Sequence, residues 1–176
     1  HYAPGPVVIG NHIYHGASSP EQEHLDVGRL FDEGIEKLTD ELDKLSYVID
    51  IAAADCKVRH NVIDLGGKGT EGGDASANGS GGIRIRAPGV AVAANRLRNQ
   101  HPQLPSPIGI YCRIDEEGHA ADQVTISDNH LLEFQIGIMV SDVDNATING
   151  NFIRGGWLRY FGVMLYDCNH SYVRDN

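Results

Sequence analysis

A recurring asparagine constrains the fold of this chain more than any other feature. Six segments share one pattern, in which apolar or small residues stand five and three positions before an asparagine. In five of them an apolar residue follows two positions after it. The aligned asparagines are Asn11, Asn61, Asn95, Asn129, Asn151 and Asn176. Matches in one register indicate an internal repeat, which is the sequence signature of a solenoid.

A second element, led by glycine, precedes four of these segments. Its glycines are Gly82, Gly109, Gly137 and Gly162, each followed by apolar residues. Successive aligned asparagines are 50, 34, 34, 22 and 25 residues apart. The two short spacings match one coil of a parallel β-helix, and the longer ones predict a coil with an insertion. Asparagine suits the bend between strands, because it tolerates left-handed backbone angles and its amide can bond the next coil.

The pattern resembles the V-x-I-x-x-N-x-I repeats of the pectin-lyase-like superfamily of right-handed parallel β-helices. The resemblance covers Pro6–Asn11 and the chain from Tyr47 to Asn176, apart from insertions. It implies an all-β fold, a right-handed parallel β-helix of about six coils with one inserted α-helix. We expect residues 1–176 to form a single domain or a fragment of a longer one. The alternative is a β-sandwich with coincidental spacing.

The first insertion, residues 19–46, predicts an amphipathic acidic helix. Ser19 is a candidate N-cap, Pro20 suits the first helical position, and Gln22 completes the spacing of a capping box. Apolar residues then recur close to every 3.6 residues, with acids opposite them. We expect this helix to lie against the solenoid, capping it or covering an edge. Docking of a partner protein is the alternative.

Two further insertions predict loops. Residues 66–82 are rich in glycine. Within them, Gly67-Lys68-Gly69 lacks the Ser or Thr and the spacing of a phosphate-binding loop, so nucleotide binding is not indicated. Residues 98–108 contain three prolines, which predicts a stiff extended segment. An aromatic loop around Trp157, Tyr160 and Phe161 predicts a hydrophobic plug, with sugar stacking or a subunit contact as alternatives.

The net charge of the chain argues against some classes of binding partner. Its 14 Lys and Arg against 24 Asp and Glu leave a net charge of −10, which argues against nucleic acid and anionic membranes as partners. No apolar run is long enough for a membrane span, so we expect no membrane insertion. We expect an extracellular, cell-surface or virion-associated location.

The repeat register predicts an arginine–tyrosine face on the glycine-led sheet. Residues one coil apart become neighbours about 4.8 Å apart. The expected members of this face are Arg84, Arg86, Arg113, Tyr111 and Tyr166. Adjacent arginines repel, so an anion should lie between them. Two sources of that anion remain open: an anionic sugar, or a protein carboxylate such as Asp50, Asp115, Glu116 or Glu117.

Candidate catalytic residues follow from the two reactions that such a face could support. For a polysaccharide lyase or epimerase, arginines would neutralise the substrate carboxylate, and His119 or Tyr111 would be the general base. For a glycoside hydrolase, a carboxylate pair is needed, and Glu116 clusters with Glu117 and Asp122. The resemblance does not extend to the catalytic signatures of alginate epimerases or polygalacturonases, which argues against those two activities.

The histidines and cysteines do not predict a metal centre. None of the nine histidines and three cysteines stands in an H-x-H, H-E-x-x-H or C-x-x-C spacing. We predict no resident cofactor, although Gly66–Gly69 matches half of a calcium-binding nonapeptide and leaves calcium open.

Two functional hypotheses remain at the level of sequence. In the first, the chain binds or processes an acidic polysaccharide through the arginine–tyrosine face. In the second, it is a non-catalytic structural or assembly component, a tailspike, surface or filament protein. The solenoid ends predict contact with a second copy or another chain, because no polar cap follows the last aligned asparagine. The two hypotheses differ in whether the arginines face an open groove or are already paired with carboxylates.

Overall fold

The fold is dominated by short β-strands that alternate between three sheets. The structure, a computed structural model, describes residues 5–15, 25–65, 80–100, 106–113, 123–155 and 161–176. Sheet A contains β1 (Val7–Ile9), β4 (Lys57–Arg59), β7 (Ala91–Ala93), β10 (Thr125–Ser127), β13 (Thr147–Asn149) and β16 (Tyr172–Arg174). Sheet B contains β2 (His12–His15), β5 (Val62–Leu65), β8 (Arg96–Asn99), β11 (His130–Leu132) and β14 (Phe152–Arg154). Sheet C contains β3 (Ser46–Ile51), β6 (Ser80–Ile85), β9 (Ser106–Arg113), β12 (Phe134–Ser141) and β15 (Phe161–Tyr166).

The chain winds around one axis. Consecutive strands pass from sheet A to B to C, and each strand pairs in parallel with its counterparts in the preceding and following coils. This arrangement confirms the predicted parallel β-helix and excludes the β-sandwich, whose sheets would be antiparallel.

The predicted register is confirmed in sheet C. Asp50 aligns with Arg84, Arg84 with Tyr111, and Tyr111 with Met139. The inner face of the sheet contributes fully buried apolar side chains to the central core, namely Ile83, Ile85, Ile110, Cys112, Ile138 and Val140. Leu165 aligns with the inward Val140, but it is exposed because β15 pairs with only one strand among the described residues.

The aligned asparagines form the predicted ladder at the bend between sheets A and B. The side-chain oxygen of each accepts hydrogen bonds from the backbone and side-chain nitrogens of the preceding one, at 2.8–3.1 Å. Asn61, Asn95, Asn129 and Asn151 are buried. Because the amides satisfy one another, the solenoid can hold polar side chains inside it.

The inserted helical segment differs from the single helix that the sequence predicts. It contains two helices, α1 (Val27–Glu33) and α2 (Ile35–Asp43), which are separated at Gly34. Gly34 has φ 133° and ψ 145°, a conformation that ends a helix. The side chain of Asp26 caps α1 by accepting a hydrogen bond from the Arg29 amide at 3.0 Å. The predicted cap at Ser19–Gln22 lies outside the described residues.

The two helices pack on the outer face of sheet C. Buried leucines from the helices, Leu30, Leu38 and Leu42, contact Ile108 and Ile136 and form a second hydrophobic core. The segment therefore lies against the solenoid as expected, but it covers a sheet face and not an end or an edge. Of the predicted glycine-rich loop, only residues 80–82 are described, and they belong to β6. Neither described helix is long and apolar enough to cross a membrane.

Candidate functional site

The residues of the predicted arginine–tyrosine face align on sheet C as expected. Its arginines, however, already bind carboxylates of the same chain. Asp50 lies between two of them. Arg84 donates from Nη2 to Oδ2 of Asp50 at 2.6 Å and from Nε to Oδ1 at 3.2 Å. Arg86 donates to the same two oxygens at 3.0 and 3.1 Å. One carboxylate thus binds two guanidinium groups, each in the bidentate geometry that makes such pairs strong.

The helix pair supplies further partners for Arg84. Its Nη1 donates to the backbone carbonyl of Asp43 at 2.9 Å, at the end of α2 where the helix dipole favours a cation. Its guanidinium also lies 5.1 Å from the ring centroid of Tyr47. Three partners therefore hold Arg84 in place, and its side chain is only 16% exposed.

Arg113 is paired with carboxylates from α2 and from the end of β12. Its Nη1 contacts Asp43 at 2.5 Å and Asp40 at 3.5 Å, and its Nε lies 3.4 Å from Asp142. Three carboxylates therefore surround one guanidinium. The three predicted anion-binding arginines face internal carboxylates, as the second of the two open alternatives supposed. These carboxylates come from Asp50, from the helix segment and from Asp142.

The charge state of Asp50 follows from this pairing. Partial burial acts to raise its pKa, but the hydrogen bonds and charges of Arg84 and Arg86 outweigh burial and lower it. The carboxylate is therefore ionised at neutral pH and balances one of the two positive charges beside it.

Tyr111 does not offer an accessible general base. Its side chain is fully buried beneath α2 and stacks on Tyr47, with ring centroids 6.2 Å apart. Burial raises the pKa of Tyr111 well above its ordinary value, so deprotonation near neutral pH is strongly disfavoured. Tyr166 aligns with Ser141, two strands from Arg113, and is half-buried. The candidate catalytic residues His119 and Glu116 lie outside the described residues.

Sheet B carries an open cationic and aromatic surface that the sequence interpretation missed. It consists of the outward residues of β8, β11 and β14, and we refer to it as the sheet B face. Its members are Arg96, Arg98, His130, Leu132, Phe152 and Arg154. Phe152 is 53% exposed, which is unusual for a phenylalanine, and its ring lies 5.5 Å from that of His130.

The sheet B face has cations that its own acids do not balance. Arg154 contacts Glu133 at 3.5 Å, whereas Arg96 and Arg98 form no ion pair within the part of the chain that the structure describes. Asp64, which aligns with Arg98, is contacted by His12 at 3.0 Å. In a chain of net charge −10, two exposed arginines that form no ion pair with a described residue indicate a surface able to attract an anion.

The signal for this surface was present in the repeat. The residue after each aligned asparagine, and the residue two further on, point outward from sheet B. Read along the register, the same positions place Arg96, His130 and Phe152 in one row about 4.8 Å apart.

No metal centre emerges from the described ranges, in which no three His, Cys, Asp or Glu side chains come together in a way that could hold an ion. The calcium alternative depended on residues 66–69, which lie outside those ranges.

The fold and its surfaces define a parallel β-helix protein with one sheet face covered by helices and another that is open and cationic. Comparison with known protein families, with curated proteins and with solved structures finds no match for the chain. Its function is therefore argued from its own residues.

The Asp50 pairing leads to a testable expectation about stability. We expect Asp50→Asn to lower the free energy of unfolding by about 2 kcal/mol at pH 7, because Arg84 and Arg86 would then face each other across a neutral amide. Since the pKa of Asp50 is lowered in the folded protein, its contribution is present above the unfolded-state pKa and is lost as pH falls through the folded value. Urea titrations at pH 7 and at acid pH measure both effects.

The exposed Asp32 of α1 supplies the matched control, since Asp32→Asn makes the same chemical change on a helix surface. This variant should stay within about 0.5 kcal/mol of the parent. The difference in unfolding free energy between the Asp50 variant and the parent should become smaller at acid pH. If it does not, the charge of the carboxylate is not the cause of the difference.

Proposed function

We propose that this protein is a carbohydrate-binding β-helix that holds an acidic polysaccharide on its sheet B face. The observation that carries the proposal is the row of Arg96, His130 and Phe152. The exposed ring of Phe152 lies beside His130, and Arg96, on the other side of His130, forms no ion pair with a described residue. We also propose the right-handed, pectin-lyase-like winding of about six coils, because parallel crossover connections are right-handed in nearly all proteins.

The chemistry of the sheet B face suits an anionic sugar polymer. Guanidinium groups bind carboxylate or sulfate in bidentate geometry, and the apolar face of a sugar ring can pack on an exposed aromatic ring. Because equivalent side chains recur about every 4.8 Å along the solenoid axis, a chain lying across the strands meets a new row at each coil. A flat repetitive surface favours an extended repetitive ligand.

The arginine–tyrosine face supports this role less well. Its guanidinium groups already bind Asp50, Asp43 and Asp142, and the helices cover the rows beside them. A sugar carboxylate would have to displace these internal partners. We therefore propose binding on sheet B and make no assignment of a lyase or hydrolase reaction.

A double substitution on β8 tests the proposal. Polygalacturonate binding at low salt should weaken about 30-fold in Arg96→Gln/Arg98→Gln, since each lost cation near a polyanion is worth about 1 kcal/mol. Isothermal calorimetry measures the affinity. Absorbance of unsaturated product, followed in the same samples, reports any elimination.

The matched control changes two outward cations with the same spacing on sheet A. Lys57→Gln/Arg59→Gln removes equal charge from β4 and should change affinity by less than about threefold. Equal losses in both double variants would show that only net charge matters. Equal affinity for single-stranded DNA would contradict selectivity for a sugar polymer.

An assembly role is the second candidate function. Apolar side chains are exposed on the coil formed by β14, β15 and β16, namely Phe152, Leu165, Tyr172 and Val173. Exposed apolar clusters of this kind favour contact with another polypeptide. Two results together would favour this candidate. Polyanion binding would be undetectable, and the mass measured by sedimentation would rise with protein concentration. An extracellular, cell-surface or virion-associated location, as predicted, is compatible with both.

A further inference from the structure

We propose that protonation of His130 and His12 controls capture of the polyanion on the sheet B face, so that binding strengthens in mildly acidic solution. This inference rests on the proposed function and adds a regulation of the same surface. Histidine is the residue whose unperturbed titration falls between about pH 5 and 8, and both imidazoles lie on the outer side of sheet B.

His130 lies in the middle of the cationic row. Arg96 of β8 aligns with it on one side and Phe152 of β14 on the other. The charged residues on the diagonals are Arg98 of β8 and Arg154 of β14, and its own segment carries Asp128 and Glu133. Glu133 contacts Arg154, so the groups facing the imidazole across the strands are cations.

A proton on His130 therefore places a further positive charge beside Arg96. Like charges opposite each other on neighbouring strands destabilise a sheet, and an anion that bridges them removes the penalty. Binding of a carboxylate or sulfate should consequently favour the protonated imidazole, and protonation should favour binding by the same factor.

His12 contacts Asp64, an acidic residue beside the sheet B face. Its Nε2 lies 3.0 Å from Oδ2 of Asp64, and Asp64 aligns with Arg98 on the next strand. When His12 is protonated, the pair becomes neutral overall, and Asp64 no longer offsets Arg98. The second histidine thus raises the net charge of the face without contacting the ligand.

The change in net charge determines how strongly protonation should affect polyanion binding. With neutral histidines, Arg96, Arg98 and Arg154 of the face and the neighbouring Asp64 and Glu133 together carry a net charge of +1. Protonation of both histidines raises it to +3. We expect an affinity gain on the order of 30-fold between pH 7.5 and pH 5.5, which corresponds to about 1 kcal/mol for each of the two added charges at contact distance in water.

The experiment separates protein titration from ligand titration. Dextran sulfate and polygalacturonate serve as probes, because sulfate does not titrate in this window and carboxylates titrate mainly below it. Calorimetry at pH 7.5, 6.5 and 5.5 gives the affinity. Repeating the titration at pH 6.5 in two buffers of different ionisation enthalpy gives the protons taken up on binding, for which we expect a positive number.

Variants assign the effect to named residues. His130→Gln and His12→Gln should each remove about a fivefold share of the pH response, and the double variant should bind equally at all three pH values. His170→Gln, at an exposed turn before sheet A, is the matched control and should keep the full response.

The outcomes distinguish this inference from the function on which it rests. Affinity that is constant from pH 7.5 to pH 5.5, with no proton uptake, would overturn the proton control and leave polysaccharide binding intact. Failure to bind either polymer at any pH would overturn the proposed function itself. A full pH response in the double histidine variant would also overturn the assignment to these residues.

Discussion

Asn129→Ala should lower the free energy of unfolding by about 4 kcal/mol. Asn129 is completely buried in the ladder, and its side chain takes part in four hydrogen bonds. Its oxygen accepts from the backbone and side-chain nitrogens of Asn95, and its amide donates to the carbonyl of Val92 at 3.0 Å and to Asn151 at 2.9 Å.

The size of this effect comes from the groups that alanine leaves behind. The backbone N–H of Asn95 loses its acceptor and the carbonyl of Val92 loses the amide of Asn129, in a region from which water is excluded. A buried polar group left without a partner costs about 1–3 kcal/mol, and alanine adds a small cavity. Urea denaturation monitored by circular dichroism measures the loss, provided that the slope of the transition is unchanged.

Asn11→Ala provides the matched control in the same ladder. Asn11 is exposed, and its side chain donates to Ile9 and to Asn61. Water can replace these bonds, so the expected loss is about 1 kcal/mol. Equal losses at the two positions would mean that the buried ladder does not stabilise the fold as we infer.

Much of the fold could be predicted because the repeat encodes it locally. One asparagine per coil identifies the bend, and period-two alternation on either side assigns inward and outward positions. The same rule aligns Asp50 with Arg84, and this alignment is observed. A local rule is sufficient in a solenoid, because each coil contacts mainly its neighbours.

The partners of the arginines could not be predicted in the same way. Arg113 contacts Asp43, a residue 70 positions earlier that reaches sheet C only because the helix pair folds back over it. No repeat register relates an insertion to the coil it covers. One indication was available, since the outward row beside Arg84 continues with Tyr111, Met139 and Met164, and apolar residues at outward positions require a cover.

The break between the two helices is a second feature that the sequence pattern could not predict. Apolar periodicity runs through Gly34 without interruption, so the pattern predicts one helix. The observed φ of 133° at Gly34 lets two short helices place their leucines on the same surface of sheet C. Packing against a flat sheet thus outweighs the continuity of the helical pattern, which is a tertiary effect that local propensity does not contain.

A glycine column in sheet C gives the second large expected effect. Gly82, Gly109, Gly137 and Gly162 occupy equivalent positions in consecutive coils, and none of them has a positive φ. A Cβ atom at Gly137 would lie 2.5 Å from the carbonyl oxygen of Gly162 and 2.6 Å from Cγ2 of Ile153. Because one of these atoms belongs to the backbone of the next coil, the clash cannot be relieved by rotating a side chain.

Gly137→Ala should therefore lower the free energy of unfolding by about 3 kcal/mol, the upper range for inserting a methyl group into a packed interior. Gly162→Ala is a control within the same column, since a Cβ atom there would meet no heavy atom within 4 Å. This control should be neutral or stabilise the protein by about 0.5 kcal/mol, because alanine restricts the unfolded chain. Thermal and urea denaturation of both variants measure the difference. Similar losses at the two glycines would show that the close approach of neighbouring coils is not what requires glycine at Gly137.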